Sequence, residues 1–525
     1  MVGEFDHVVV GAGSAGSVVA AGLADRGSRV LVVEAGPRDR DPRIRIPAAA
    51  ADLWFGRLDW AFDTTPQPGL GGRSDTWPRG RVVGGSSSIN AMMHVRGIDA
   101  DFDAWAEAGA TGWDASAMNA AFRRLEDDER GAAPHRGAGG PMTVSRQRDP
   151  RPLTLAFLDA CEELGIPRVE DHHVEPHGCA LTMVAQRDGR RWSAADGFLA
   201  PRLGRSGTTL TLRTGVEVVR VVLERGRAVG IEAIVRGRRR LVRARHGVVL
   251  AAGAIGSPVL LQRSGIGDAA HLARLGIDVV VDNPSVGANL QDHLVAGMIG
   301  AASSGSLHGA DRDPGAVLRW LRERRGPLTS NLGEAIAFLS TRDGEPWPDI
   351  ELIAIPAPLR DHGRERPPQH GITVGAILLT PASRGRVTIA SAEPRVRPTI
   401  DPNVLSEPDD LVRLLAGVRV VQRLLTGTRA MTDALDGLLV PQAPLEDDAA
   451  LTAHVRDIAQ TLYHPVGTCR MGSDEAAVVD PSLAVRGVEG LSVVDASVMP
   501  TIVRGHTNAP TMAIALRAVD LIGSA

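Results

Sequence analysis

Phe5-Asp6-His7-Val8-Val9-Val10-Gly11-Ala12-Gly13-Ser14-Ala15-Gly16 is the stretch on which the fold turns. Phe5–Val10 reads as a short apolar strand, Ser14–Asp25 as a helix of small residues, and Arg29–Val33 as a β-branched strand closed by Glu34. Together they make one βαβ unit. Gly11, Gly13 and Gly16 occupy the three glycine positions of a dinucleotide fingerprint. The first permits a tight turn, the second lets backbone approach a pyrophosphate, and the third packs helix on strand. From Ser14 and Ala15 onward the helix N-terminus offers free N–H groups and about half a positive charge to phosphate. Glu34, with Ala35 behind it, is placed to accept hydrogen bonds from ribose hydroxyls. The motif alone serves NAD and FAD equally.

Composition removes several alternatives. The chain has 525 residues, and its 58 basic residues are all arginine, against 62 Asp+Glu, for a formal net charge of −4. Without lysine there is no Schiff base, no P-loop lysine and no kinase-type strand lysine. Near-balanced charge argues against a nucleic-acid partner. Three scattered cysteines (Cys161, Cys179, Cys469) make no disulfide framework or zinc site, and point to a reducing, cytoplasmic setting. Residues 8–24 have the apolar, small-residue character of a leader, but Glu4 and Asp6 precede them and Gly11, Gly13, Gly16 and Gly22 interrupt them. With no apolar run reaching ~18–20 residues, the expectation is a soluble protein without leader or membrane span.

Further along, 70–90, 128–152, 303–327 and 359–371 read as loops, the last two as segments that shape a pocket. Thr208–Leu223 and Ala228–Leu250 alternate like strands of an inserted antiparallel meander, and 372–400 alternates again. Residues 408–425 read as a helix with Leu411, Leu414, Leu415, Val418, Val421, Leu424 and Leu425 on one face. The segment Gly80-Arg81-Val82-Val83-Gly84-Gly85-Ser86-Ser87-Ser88-Ile89-Asn90 is a loop of small residues whose backbone can lie along a flat ligand. Gly253-Ala254-Ile255-Gly256-Ser257-Pro258, after the strand Gly247–Ala252, is a second strand–glycine turn–helix.

With these blocks the chain resembles the glucose–methanol–choline (GMC) oxidoreductases. The 80–90 and 253–267 segments are similar to that family's two signatures, and Gln67-Pro68-Gly69, Trp77-Pro78-Arg79-Gly80, Val286-Gly287, Asn289-Leu290-Gln291-Asp292-His293 and the C-terminal blocks agree as well. The resemblance implies an α/β fold: a Rossmann-like FAD-binding domain (1–150, 200–295, 465–525) and an inserted substrate-binding domain built on an antiparallel sheet (151–199, 296–464). It implies FAD-dependent oxidation of a small-molecule alcohol to aldehyde or ketone, with hydride passing to flavin N5 and then to oxygen or another acceptor. Three rivals stand beside this: a hydroxynitrile-lyase-like enzyme of the same fold, an FAD-bound protein with a dead site, and a nicotinamide dehydrogenase.

In Tyr463-His464-Pro465 and Gly505-His506-Thr507-Asn508-Ala509-Pro510-Thr511 the resemblance makes His464 the base and His506 its partner, or Asn508 if the register slips by two. An imidazole, with an ordinary pKa near ~6.5, suits removal of the hydroxyl proton. Asp495 and Ala496 fall by the pyrophosphate and ribityl chain, Gly84, Gly85, Ser88 and Asn90 along the isoalloxazine, and the Val218 backbone at the adenine. Arg81, Val83, Ala91, Met92, Ala252, Gly253, Asn508, Pro510 and Thr511 complete the implied cofactor set. Two departures matter. The histidine that anchors flavin covalently in choline oxidases falls at Ile89, so FAD is expected to be non-covalent. The signature's usual aromatic or alanine is His94, placed near flavin, substrate or packing. His172, His173 and His177 with Asp171 and Glu175 lack metal-motif spacing, so no metal is expected, and Cys469 reads as a buried thiol. One tyrosine and few other rings disfavour a quaternary-ammonium cage, leaving an apolar or aromatic primary alcohol as the better fit.

Overall fold

The computed structural model describes residues 5–522; Glu4 and the outer limits of the first expected domain lie outside them. Strand β1 (Phe5–Val10), helix α1 (Ser14–Asp25) and strand β2 (Val30–Glu34) form the expected unit. β1 pairs in parallel with β2 on one side and with β3 (Arg238–Leu250) on the other. Leu210–Thr214 adds in parallel outside β2, and Leu491–Val493 outside β3. Val8, Val9, Val30 and Val32 are fully buried, as β-branched residues of a sheet covered on both faces should be. α1 packs on the C-terminal helix, which spans Asn508–Ile522; at Gly22 a Cβ would lie 2.6 Å from Val519 Cγ2.

The meander exists but is not a separate insertion. Thr208–Leu223 breaks at Gly215 (φ 68°) into the parallel strand Leu210–Thr214 and the antiparallel strand Val216–Glu224. The next strand, Arg227–Val235, pairs with the first half of β3, and the second half of β3 runs on into the parallel sheet. Uniform alternation on either side of the glycine hid the change of partner.

A second, wholly antiparallel sheet runs in the order 437–440, 294–302, 370–378, 350–355, 335–339, 178–181. The helix Pro408–Gly427 buries Leu414, Val418, Val421 and Leu424 on one face of it, closely enough that a Cβ at Gly417 would lie 3.0 Å from Ala376 Cβ. Val295, Ile353, Ile355 and Thr373 on the other face look into a large cavity between the two sheets.

Two loop expectations need correction. Pro314–Glu323, inside 303–327, is a helix: Asp313 caps it by accepting from the Gly315 N–H (2.8 Å), and buried Trp320 donates to the Gly189 carbonyl (2.9 Å). No residue of 303–327 borders the cavity, whereas Leu359, His362 and Gly363 do. Within 128–152, Met142–Val144 is a buried strand parallel to Glu126–Asp128. In each case polar composition masked a few anchoring apolar residues.

A Cβ at Gly16 would come 1.9 Å from the Gly11 carbonyl oxygen. Gly16→Ala is therefore expected to cost at least about 1–3 kcal/mol, read as a lowered Tm; an unchanged Tm would mean that α1 can slide away from β1.

Candidate active site

The cavity measures about 560 Å³, within the ~300–1,000 Å³ typical of small-molecule sites. Gly11, Gly13, Ser14, Ala15, Glu34, Ala35 and Val218 wall one end. No side chain caps α1, so its first N–H groups remain available to an anion. Glu34 accepts from the N–H groups of Ala12 (3.0 Å) and Gly36 (2.8 Å), one per oxygen, and each oxygen keeps capacity for a hydroxyl. Burial raises its pKa while the two amides oppose the rise. Gly13 and Gly253 are open toward the cavity: a Cβ at Gly13 would meet only Gly85 Cα at 3.7 Å, and one at Gly253 nothing within 4 Å. This end fits the adenosine and pyrophosphate of FAD.

Gly85, Asn90, Ala91, Met92, Ala252, Gly253, Asp495, Ala496, Asn508 and Thr511 continue the wall. Asp495, buried, gathers three donors: the Gly253 N–H (2.8 Å), the Ser257 hydroxyl (2.5 Å) and the Ser497 N–H (2.8 Å). It fastens two turns together, and burial raises its pKa. Gly16, Arg81, Val83, Gly84, Ser88 and Pro510 stand behind the wall. There the Gly84 N–H donates to the Ala12 carbonyl (2.7 Å), Ser88 donates to the Val83 carbonyl (2.8 Å), and the Arg81 guanidinium lies 4.9 Å over the Trp60 ring.

His464 and His506 meet at the other end, rings edge to face with centroids 4.7 Å apart. Two features hold His464: its N–H donates to Asp292 Oδ1 (2.7 Å), and its Nδ1 lies 2.9 Å from Nδ1 of His293. Its Nε2 has no partner among the described residues. Burial, then the neighbouring His506, His293 and Arg79, hold its pKa well below the ordinary imidazole range. His506 Nε2 lies 3.0 Å from Oε1 of the fully buried Glu351. Asn508 instead accepts from the Ser14 hydroxyl (2.7 Å), at the dinucleotide end. Sequence reading assigned no role to His293, Asp292 or Glu351. The first two stand in a block that resembles the family, but only the fold brings residues so distant in sequence against His464, and Glu351 sits in a strand with no motif around it.

Four other histidines are spent elsewhere. His94 does not border the cavity; it pairs with buried Glu126 (2.8 Å), which Arg96 also contacts. That answers the expectation for His94 in favour of packing. His172, His173 and His177 meet the Gly178 carbonyl (3.1 Å), the Gly97 carbonyl (3.4 Å) and the Ser340 hydroxyl (2.9 Å), and are half-buried rather than exposed. Among the described residues no group of three His, Cys, Asp or Glu side chains is placed to hold a metal ion, and no helix is long and apolar enough to cross a membrane. Cys469 is fully buried, and burial pushes its thiol pKa well up.

Residues 5–295 and 381–515 match the two GMC oxidoreductase family models. The chain belongs to the GMC oxidoreductase family. Membership makes it an FAD-dependent oxidoreductase acting on CH–OH donors. It is 46% identical, over 99% of both chains, to an uncharacterised GMC-type oxidoreductase of Mycobacterium tuberculosis (strain ATCC 25618 / H37Rv). It is 40% identical to an alcohol dehydrogenase [acceptor] of Pseudomonas putida, over 99% of this chain and 95% of that one. The crystal structure of pyridoxine 4-oxidase from Mesorbium loti superposes with a TM-score of 0.89 at 34% identity, covering 98% of this chain and 99% of that one. These GMC relatives are named as oxidoreductases, which leaves the lyase alternative without support.

In this GMC chain Gly13→Ala keeps room for its methyl within the fold but points it into the cavity. The expected result is an unchanged Tm for the apoprotein with weakened FAD binding in a fluorescence titration; undiminished affinity would remove Gly13 from the cofactor wall.

Proposed function

We propose that this GMC oxidoreductase oxidises an uncharged, apolar or aromatic primary alcohol to its aldehyde, with His464 as proton acceptor and His506 as its partner. The observation that carries this is the state of His464: neutral in its buried setting, with one ring nitrogen free at the cavity and the His506 ring against it. A neutral imidazole can take the hydroxyl proton as the C–H bond breaks, and His506 can hydrogen-bond the oxygen as its negative charge develops. Bound FAD supplies the hydride acceptor, and its electrons pass on to oxygen or another acceptor. Ile89, a hydrocarbon side chain bordering the cavity, supports non-covalent attachment at that position.

The substrate class follows from the wall facing the two histidines. Val295, Leu332, Ile353, Ile355, Leu359 and Leu462 are hydrocarbon. The carboxylates bordering the cavity are Glu34, Glu217 and Asp495, and Glu34 and Asp495 are tied into loops of the dinucleotide end. Trp54, Trp60, Phe62 and Tyr463 also line it, but Arg81 already covers the Trp60 ring and Arg79 adds positive charge nearby. Such a wall repels a quaternary ammonium and suits an apolar chain or ring.

The division into an FAD domain (1–150, 200–295, 465–525) and a substrate domain (151–199, 296–464) belongs to the same reading. The strands of the two sheets fall on either side of it, save Leu294 and Val295. Three free, buried cysteines agree with a cytoplasmic setting.

Anaerobic mixing with benzyl alcohol or a medium-chain primary alcohol is expected to bleach the flavin, and choline to do so far less. Bleaching by choline alone would overturn the substrate class, and no bleaching by any alcohol would overturn the oxidation. His464→Ala is expected to retain FAD and lose about 10²–10⁴-fold in the rate of flavin reduction; full activity would sink the assignment. With the base held below its ordinary range, its protonation limb moves to lower pH. Flavin reduction by the native enzyme should therefore stay level from pH 8 down to about 6, whereas a limb centred near ~6.5 would mean a water-exposed ring.

A further inference from the structure

We infer that His293 is a positioning residue that keeps the proton of His464 on Nδ1 and so leaves Nε2, the ring nitrogen free at the cavity, as the base. This rests on the reading of His464 as proton acceptor. His293 is fully buried in the strand-leading segment before Leu294–Ala302. Its Nε2 lies 3.1 Å from the Leu379 carbonyl oxygen and its Nδ1 lies 2.9 Å from Nδ1 of His464.

The proton positions follow from donor counting. A carbonyl oxygen only accepts, so Nε2 of His293 carries a hydrogen. Two ring nitrogens 2.9 Å apart need one hydrogen between them, because two bare lone pairs would repel. His293 is neutral: burial, then repulsion from His506, lowers its pKa to about 3 despite its backbone contacts. A neutral imidazole has a single N–H, already given to Leu379. The hydrogen between the rings therefore belongs to Nδ1 of His464. His464 is itself neutral, so its Nε2 is bare. Without an acceptor at Nδ1 the ring could carry its hydrogen on either nitrogen, and the Nε2–H form would offer the alcohol a donor where a base is needed.

Two variants of the holoenzyme separate this from a space-filling role. The amide of Asn falls near the position of His Nδ1, and that of Gln near Nε2. His293→Asn keeps an acceptor for His464 and is expected to reduce flavin at close to the native rate. His293→Gln fills more of the space and retains the bond to Leu379, yet it should slow flavin reduction by about 10- to 10²-fold, a share of the ~10²–10⁴ that a positioned base contributes. KM should change little. If the role were only structural, Gln would be the milder substitution, and that order overturns the inference. The second readout is the pair of ¹⁵N shifts of His464 in histidine-labelled holoenzyme without substrate, assigned by their loss in His464→Ala. The native enzyme should show the Nδ1-protonated tautomer; the Nε2-protonated one overturns the inference whatever the variants do. The expected tautomer combined with full flavin reduction by His464→Ala would instead sink the proposed function and leave the role of His293 standing.

Discussion

Any side chain at position 85 would bring its Cβ within 2.6 Å of Gly13 Cα, one at Gly36 within 1.9 Å of the Arg81 carbonyl oxygen, and one at Gly80 within 2.2 Å of the Gly85 carbonyl carbon. Gly85 can therefore meet the first turn of the βαβ unit only as bare backbone, and the rest of the site is arranged around that contact. It sets how closely the loop lies over the N-terminus of α1, and the Gly84-to-Ala12 hydrogen bond fixes it. It also explains how a chain without lysine can hold a diphosphate. Amide N–H groups and the end of a helix supply the positive potential, so the arginines are left for ordinary work, chiefly surface ion pairs.

The opposite end of the cavity manages buried charge. Asp292 and Glu351 are both buried beside the histidines. Asp292 receives the His464 N–H and the Thr461 hydroxyl, and burial still lifts its pKa to about 7. Glu351 lies two residues before Ile353 on the cavity face of its strand, and it is spent on His506. Burying such groups costs free energy that only well-placed partners offset. Here the partners are the residues that need orienting, so the cost is tied to the geometry of the site. The apolar wall beyond them keeps water away and strengthens each of these interactions.

Much of this was legible in the sequence, for definite reasons. Gly11, Gly13, Gly16 and Glu34 are close together in the chain, and their spacing encodes one local turn. His464 and His506 stood in blocks that resemble a family. What stayed hidden depends on long-range placement: nothing near His293 signals that its ring will sit 2.9 Å from that of His464, and Glu351 lies in a strand, Ile350–Ile355, that carries no motif. The helix Pro314–Glu323 is hidden in the sequence because its arginines and flanking glycines outweigh the buried Ala316 and Trp320. Gly215 was passed over because strands of the same alternating pattern lie on both sides of it, although it is there that the chain changes partners.

The thirteen residues of β3 pair antiparallel with Arg227–Val235 at one end and, at the other, sit between β1 from the start of the chain and Leu491–Val493 from near its finish. The meander half can form as soon as its own hairpins exist. The parallel half gains its last neighbour only when residue 493 has emerged, after the whole second sheet has been made. Loop-closure entropy for such distant pairings is met late. During synthesis, then, the cofactor end waits with an open sheet edge while the substrate-facing sheet is already able to fold. An exposed edge of that kind is the segment most prone to mispairing in a newborn chain.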